Sequence, residues 1–360
     1  SSQLAPETVG MPWSLLASAI CVGIASVLVW AIQRSDLLWN GARSIPLGTF
    51  WRQPGFTLAD IPDLSGSIAV VTGASAGLGL EVAAQLALAN ASVVLACRDR
   101  SRGEKAAVAI QTRLAAAGKR VTEEHLRVVS LDLSDLQQTT MAAERLLKEL
   151  PRLDILINNA GVATQFPHSV TADEVEATFQ VNYLGHFLFT SRLLPRLLQS
   201  APASIVHLTS GAHRGAPAEG VFLSREAVNN ASRMGPYARY GMAKLANLIF
   251  AKELHRKFHD SHIFSNAVHP GVVATELLRQ HTFEAMLGPW LGSLALRCAR
   301  ARNAIFAYSV EEASVSVLLA ATAHLRPSQM SELPLNGELI VPVATRWPPR
   351  HPKADDEQLA

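Results

Sequence analysis

The chain has 360 residues, 49% of them hydrophobic and 17% charged, with a formal net charge of +2. That length allows one large domain or two ordinary ones, and the 32 basic residues form no phosphate-binding stripe, so no nucleic-acid partner is expected. The three cysteines, Cys21, Cys97 and Cys298, are far apart, odd in number and outside any CxxC or Cys/His cluster, which argues against a zinc site or a disulfide framework.

In chain order, residues 1–12 read as an N-terminal tail. No charge occurs between Glu7 and Arg34, and Trp13 to Ile32 reads WSLLASAICVGIASVLVWAI. A helix of about 20 residues reaches roughly 30 Å, the thickness of a bilayer core, so residues 13–33 are expected to form a transmembrane anchor. A cleaved signal peptide is the rival, but the basic n-region is missing and the apolar stretch is long for one. Arg34, Arg43 and Arg52 follow the span and no basic residue precedes it, which places the folded part on the cytosolic or matrix side. The chain begins Ser-Ser, which leaves open an upstream targeting piece or a start at Met11. Residues 34–64, with Pro46, Pro54, Pro62, Gly41, Gly48 and Gly55, read as a linker, and residues 65–360 as one domain with a C-terminal tail.

Within that domain short apolar runs recur at Ile68, Ser92, Arg127, Leu153, Ser204, Ile263 and Gly337. Helical segments such as Leu78–Asn90, Leu136–Leu150 and Ala238–Phe258 lie between them. Continuous apolar strands alternating with helices predict an α/β fold, a single Rossmann-type doubly wound domain with a seven-stranded parallel sheet. Its ligand is expected beyond the carboxyl ends of the strands.

The first strand runs into Thr72-Gly73-Ala74-Ser75-Ala76-Gly77-Leu78-Gly79 and then a helix. Glycines permit a tight turn and close approach of a pyrophosphate, and the helix start supplies free N–H groups. The second strand ends in Cys97-Arg98-Asp99, with Arg100 and Arg102 behind. An arginine there suits a ribose 2′-phosphate, so NADP(H) is expected over NAD(H). Asp132, the turn Asn158-Asn159-Ala160-Gly161 and Ser210 follow at later strand ends. Tyr240 and Lys244, four apart on a helix, share one face, where an ammonium favours the phenolate and lowers the tyrosine's pKa. Tyr237 is rejected as the acid because Gly241, not a lysine, stands four residues after it.

These motifs together resemble the short-chain dehydrogenase/reductase family, from about Ser65 to at least Thr345. TGASAGLG matches the nucleotide loop, NNAG the structural turn, Tyr240 and Lys244 the active pair, and HPGVVAT from His269 the nicotinamide-side loop. The resemblance implies an oxidoreductase with Tyr240 as general acid/base and Lys244 tuning it and holding the nicotinamide ribose. Ser210 would then hold the substrate carbonyl, and Asn182 would complete a proton relay through water. It further implies a cofactor lined by Gly73, Ser75, Gly77, Leu78 and Gly79, by Arg98, Asp132 and Leu133, and by Asn159, Ala160 and Gly161. Tyr240 and Lys244 would also touch it, as would Pro270, Gly271, Val273 and Thr275. Within the family the phrases ACRD, NYLGHFLFT, KLANLIFAKEL and HPGVVATEL are most similar to retinol dehydrogenases and WW-domain oxidoreductases, here without WW domains. Protochlorophyllide reductases share some of these phrases and match less well.

The expected function is therefore a membrane-anchored, NADP(H)-dependent oxidoreductase acting on a lipophilic carbonyl or alcohol, with the bilayer as a partner through residues 13–33. The endoplasmic reticulum is implied, with the mitochondrial inner membrane as alternative. The apolar segment Phe283–Ala299 falls where the family builds a substrate lid. His186, His207 and His213 read as packing or surface residues. An accessory subunit of a membrane complex is the alternative function, a non-enzymatic NADPH-sensing scaffold a third, and homodimerisation is left open.

Overall fold

All seven apolar runs form parallel strands in the computed structural model, which describes residues 56–119, 125–163, 167–271, 273, 297, 307–325, 335–341, 345–346 and 353–354. The strands are β1 (Ile68–Thr72), β2 (Ser92–Cys97), β3 (Leu126–Ser130), β4 (Ile155–Asn158), β5 (Ala203–Leu208), β6 (Ile263–Val268) and β7 (Leu339–Val341). An eighth, β8 (Thr345–Arg346), adds antiparallel at the edge, which the sequence reading did not expect because two residues carry no periodicity. The order is β3-β2-β1-β4-β5-β6-β7-β8. After β3 the chain crosses back to place β4 beside β1, so the topological switch lies between β1 and β4, where a doubly wound sheet opens a crevice.

Side chains alternate between two covered faces. Ala69, Val71, Leu95, Ile155 and Ile157 pack with helices α1 (Gly77–Leu88), α2 (Arg100–Ala116) and α7 (Val310–Thr322). Val70, Val94, Leu156 and Ile205 face α3 (Leu136–Glu149) and α4 (Gly185–Ser200). The longest helix among the described residues, α6 (Pro236–Phe258), lies over β5 and β6 beside the short α5 (Arg225–Asn229). Because both faces are covered, β4 and β5 are buried at every position, which is why they read as unbroken apolar runs. Starts follow local chemistry: Asp99 and Asp135 cap α2 and α3 through their side chains, and Ser309 with Glu312 forms a capping box on α7.

The membrane expectation is corrected here. Among the described residues no helix is long and apolar enough to cross a membrane. Helix α6 has the length, but it carries Arg239, Lys244, Lys252, Glu253, Arg256 and Lys257, whose charges a bilayer core would have to desolvate. The expected anchor at 13–33 lies outside the described residues. Membrane anchoring, single-pass topology, the bilayer as a partner, and an endoplasmic reticulum or mitochondrial membrane location therefore have no support in the structure. The expected lid at Phe283–Ala299 also lies outside the described residues.

Candidate active site

The glycine loop sits at the carboxyl end of β1, against the turn that follows β4. Gly73 has φ +67°, and a Cβ there would stand 2.8 Å from the Ala160 Cα. A Cβ on Gly79 would stand 2.5 Å from the Gly73 carbonyl oxygen. Two chain segments therefore touch where only hydrogen fits. Ala76 is the N-cap of α1 and gives no side-chain cap, and the first turn holds no acidic residue. The N–H groups of that turn thus lack the carboxylate or hydroxyl that satisfies the starts of α2, α3, α5 and α7, which fits an anionic pyrophosphate. Leu78 is buried in this turn. Ser75 instead hydrogen-bonds the Cys97 thiol, whose pKa burial pushes up to about 11.

After β2 the two neighbours divide their work. Asp99 accepts from the Arg102 N–H at 3.1 Å and so serves as helix cap. Arg98 is exposed and has no ion-pair partner among the described residues, whereas Arg100 pairs with Glu104. After β3, one oxygen of Asp132 accepts from the Ser134 N–H at 2.9 Å and from its hydroxyl at 2.6 Å, fixing the turn. Leu133 is buried, and a Cβ on Gly185 would meet its carbonyl oxygen at 2.8 Å.

Thr72 joins β1 to the turn after β4. Its hydroxyl accepts from the Asn159 and Ala160 N–H groups, both at 2.9 Å, and the Asn159 amide donates to the Thr72 carbonyl at 2.8 Å. Gly161 lies so near the next element that a Cβ would stand 2.6 Å from the Asn182 Oδ1 and 3.7 Å from the Lys244 Nζ. Asn182 belongs to a π-helical turn, Gln180–Leu184, that leads into α4. Its side chain closes a two-way contact with Val162, accepting from the N–H at 2.9 Å and donating to the carbonyl at 3.0 Å.

Ser210 follows β5 and opens a 3-10 turn, its hydroxyl accepting from the Ala212 N–H at 3.2 Å. The same hydroxyl acts on the Tyr240 phenol, pulling its pKa down. Lys244, buried one helical turn on, donates from Nζ to the Leu208 carbonyl at 2.9 Å and stands 5.7 Å from the Tyr240 ring centroid. Burial pushes Tyr240 up to about 12 against the pull of Ser210, and burial brings Lys244 down to about 8. The expected lowering of the tyrosine is thus outweighed by desolvation. Beyond β6, Gly271 has φ +83°, and its N–H donates to His269 Nδ1 at 3.3 Å. His269 packs over Gly211, beside Ser210, which brings the segment through Pro270 to the Ser210 end of the site. Val273 forms a parallel bridge with Tyr308, and Thr275 lies outside the described residues.

The structure thus brings Ser210, Tyr240, Lys244, Asn182 and Gly161 to one place and the glycine loop to the adjacent strand end, while Arg98 and Asp132 stand at the ends of the next strands out. Three polar residues gain a place here: His186 and His213, which the sequence set near the site but as packing or surface residues, and Asn247, which it did not single out. His213 lies with Nδ1 2.7 Å from the Ser210 carbonyl. His186 and Asn247 both bond the Asn182 carbonyl. The one available sign was polarity inside an apolar run, as with Asn247 in LANLIF.

Comparison with known proteins agrees with this geometry. A family model described as short chain dehydrogenase matches residues 67–285. Retinol dehydrogenase 14 of Mus musculus is 35% identical over 300 residues, covering 82% of this chain and 85% of that protein. Retinol dehydrogenase 11 of Homo sapiens is 40% identical over 234 residues, covering 65% and 69%. A crystal structure of a putative uncharacterized protein from Mycobacterium Paratuberculosis superposes with a TM-score of 0.58 at 28% identity, covering 85% of this chain and 93% of that one. A doubly wound sheet with a glycine loop and a Ser-Tyr-Lys cluster at its carboxyl edge defines a dinucleotide-dependent oxidoreductase. The chain belongs to the short-chain dehydrogenase family. Its likeness to retinol dehydrogenases, read first from short phrases, extends over much of the chain.

Proposed function

We propose that this protein is an NADP(H)-dependent oxidoreductase that interconverts a lipophilic aldehyde or ketone and its alcohol, with a retinoid-like compound as the first candidate. The observation that carries the reading is the buried Lys244 one helical turn from Tyr240, its Nζ 5.7 Å from the centroid of the phenol ring, with Ser210 pulling on the same phenol. When bound, the nicotinamide dinucleotide supplies or takes the hydride. In the reducing direction Ser210 orients the carbonyl oxygen and Tyr240 gives it a proton, so hydride plus proton convert C=O to CH–OH. Lys244 holds positive charge beside the phenol and so stabilises the phenolate left behind. The glycine loop and the uncapped start of α1 would take the pyrophosphate, Asp132, Leu133 and the Asn159–Gly161 turn would line the dinucleotide, and Pro270, Gly271, Val273 and Thr275 would close on its nicotinamide end. NADP(H) is preferred because Asp99 is committed to capping α2 while Arg98 lies exposed to receive a 2′-phosphate. Likeness to retinol dehydrogenases supports the lipophilic substrate.

The test is NADPH oxidation by the purified protein against a panel of lipophilic carbonyls that includes retinal. Tyr240→Phe is expected to lower kcat/KM by about 10²- to 10⁴-fold while NADPH still binds. Tight NADPH binding with no turnover across the panel would defeat the enzymatic reading.

A further inference from the structure

Beneath the site runs an unbroken line of buried hydrogen bonds. It starts at Thr72 in the nucleotide strand and ends at Lys244. The π-helical turn at Gln180–Leu184 breaks the α-helical bonding pattern, and side chains reach one of its carbonyls. The Asn182 carbonyl takes two: His186 Nδ1 at 3.2 Å and Asn247 Nδ2 at 3.1 Å.

Donor and acceptor roles follow from chemistry alone. A carbonyl only accepts, so Nδ1 of His186 carries the hydrogen. Nε2 must then accept, and the Thr72 hydroxyl gives its one hydrogen to it at 2.9 Å in preference to the Ile157 carbonyl, which stands farther off at 3.3 Å. That leaves the lone pairs of the hydroxyl for the Asn159 and Ala160 N–H groups, which are both in place. Burial, which brings His186 down to about 3, agrees with the neutral ring this pattern requires.

Asn247 lies one helical turn after Lys244. Its Nδ2 sits between two carbonyls, Asn182 at 3.1 Å and Leu208 at 3.0 Å, and the Leu208 oxygen also receives Lys244 Nζ at 2.9 Å. The Oδ1 of Asn247 has no hydrogen-bond partner among the described residues, although the side chain is buried. A leucine at this position would avoid that penalty, so packing alone does not explain an amide here.

We propose that His186 and Asn247 are positioning residues of the catalytic centre: together they bond the Asn182 carbonyl and link it, through Thr72, to the glycine loop and, through the Leu208 carbonyl, to the seat of Lys244. Neither touches a reacting atom. They make the distance between nucleotide loop and Lys244 Nζ a property of the folded chain. The assignment of Lys244 to the reaction rests on the function proposed above, whereas the hydrogen-bond pattern does not.

The experiment has two arms on the full chain. Nitrogen NMR of histidine-labelled protein is expected to show His186 neutral with its proton on Nδ1 at pH 7, and Asn247→Leu is expected to move that Nδ1 resonance because both donors share one acceptor. Kinetically, Asn247→Leu is expected to lower kcat by about 10- to 100-fold, the cost of a misplaced catalytic group. KM for NADPH and for the carbonyl should stay within about 3-fold, the pattern of an interaction used at the transition state. His186→Asn keeps a donor near the Asn182 carbonyl and is expected to retain more kcat than His186→Leu, which keeps none. A proton found on Nε2 overturns the proposal. So does an unchanged kcat in Asn247→Leu, or equal kcat in the two His186 variants, or a loss that vanishes once the variants are folded at lower temperature. If the natural chain reduces no carbonyl, the proposed function falls while the NMR arm still decides the hydrogen-bond assignment.

Discussion

At the scale of single residues, the proposed preference for NADP(H) rests on the neighbours Arg98 and Asp99. One oxygen of the Asp99 carboxylate is held by the Arg102 N–H, which turns it toward the start of α2, and the exposed Arg98 guanidinium has no ion-pair partner among the described residues. A charge-assisted contact of this kind contributes about 1.5–3 kcal/mol. Arg98→Ala is therefore expected to raise KM for NADPH by roughly 10- to 100-fold and to leave KM for NADH nearly unchanged. Steady-state kinetics with both cofactors checks it, and an equal loss for both would move the arginine away from the phosphate. Lys244 carries a second prediction. Its folded pKa, about 8, is below that of an exposed lysine because burial penalises the ammonium. The unfolded chain then binds more protons between about pH 8 and 10.5, so this group's contribution to stability rises with pH across that window. Lys244→Met should thus abolish turnover yet be more stable than the natural chain at pH 7, by roughly 1–3 kcal/mol, with the gap closing above about pH 10. Urea melts at the two pH values read the difference. The Tyr240/Lys244 pair and the glycines were legible because fixed spacing expresses them. The capping role of Asp99 was not, since it depends on where α2 begins.

At the scale of elements, α6 does two jobs. It carries Tyr240 and Lys244, and it is anchored by Arg239, which pairs at 3.5 Å with Glu176 before the π-helical turn, both side chains almost fully buried. Arg239 also donates to the Met234 carbonyl at 3.0 Å, and Glu176 accepts from the Phe179 N–H at 2.8 Å. Removing one charge leaves the other buried without its counter-ion, at a cost of about 3–5 kcal/mol. Glu176→Gln is expected to lower stability by that amount, and adding Arg239→Met should recover part of it. A double-mutant cycle of denaturant midpoints measures the coupling, and additive losses would mean that the pair does not hold α6 to Glu176. This partnership joins residues 63 positions apart, and no local pattern announces it. Helix α6 itself was readable from its YxxxK and its apolar run. Its start at Pro236 rather than Ala238 reflects proline's fitness for the first helical turn.

At the scale of the whole molecule, the buried histidines make the fold sensitive to acid. His186, His207 and His269 are each brought down to about 3 by burial, and His324 to about 4. Each stays neutral when folded and takes a proton when unfolded below its ordinary pKa. Stability is therefore present above about pH 6.5 and is lost as pH falls toward the folded values, with each histidine contributing up to about 1.4 kcal/mol per pH unit. Four together predict a steep drop in urea midpoint between pH 6.5 and 5. His207→Phe should flatten that slope, since its ring packs against Phe250 with centroids 4.9 Å apart and an aromatic fits there. A midpoint unchanged over that range would show that these rings meet protonation in the folded state.

The sequence by itself determined the strand-helix alternation, the parallel sheet, the glycine loop and the one-turn spacing of Tyr240 and Lys244. These are periodic or closely spaced features, and a buried parallel sheet admits only continuous apolar strands. It also carried the family likeness, because several motifs stand in one order. Only the tertiary structure decided the rest. The antiparallel β8 is too short to carry a period, and the bilayer as partner found no support in the described fold. The line from Thr72 through His186, Asn182, Asn247 and Leu208 to Lys244 exists because the topological switch sets β1 beside β4 and α6 over β5. Residues 72, 186 and 247 are far apart along the chain, so the hydrogen bonds that give them meaning form only when the sheet does.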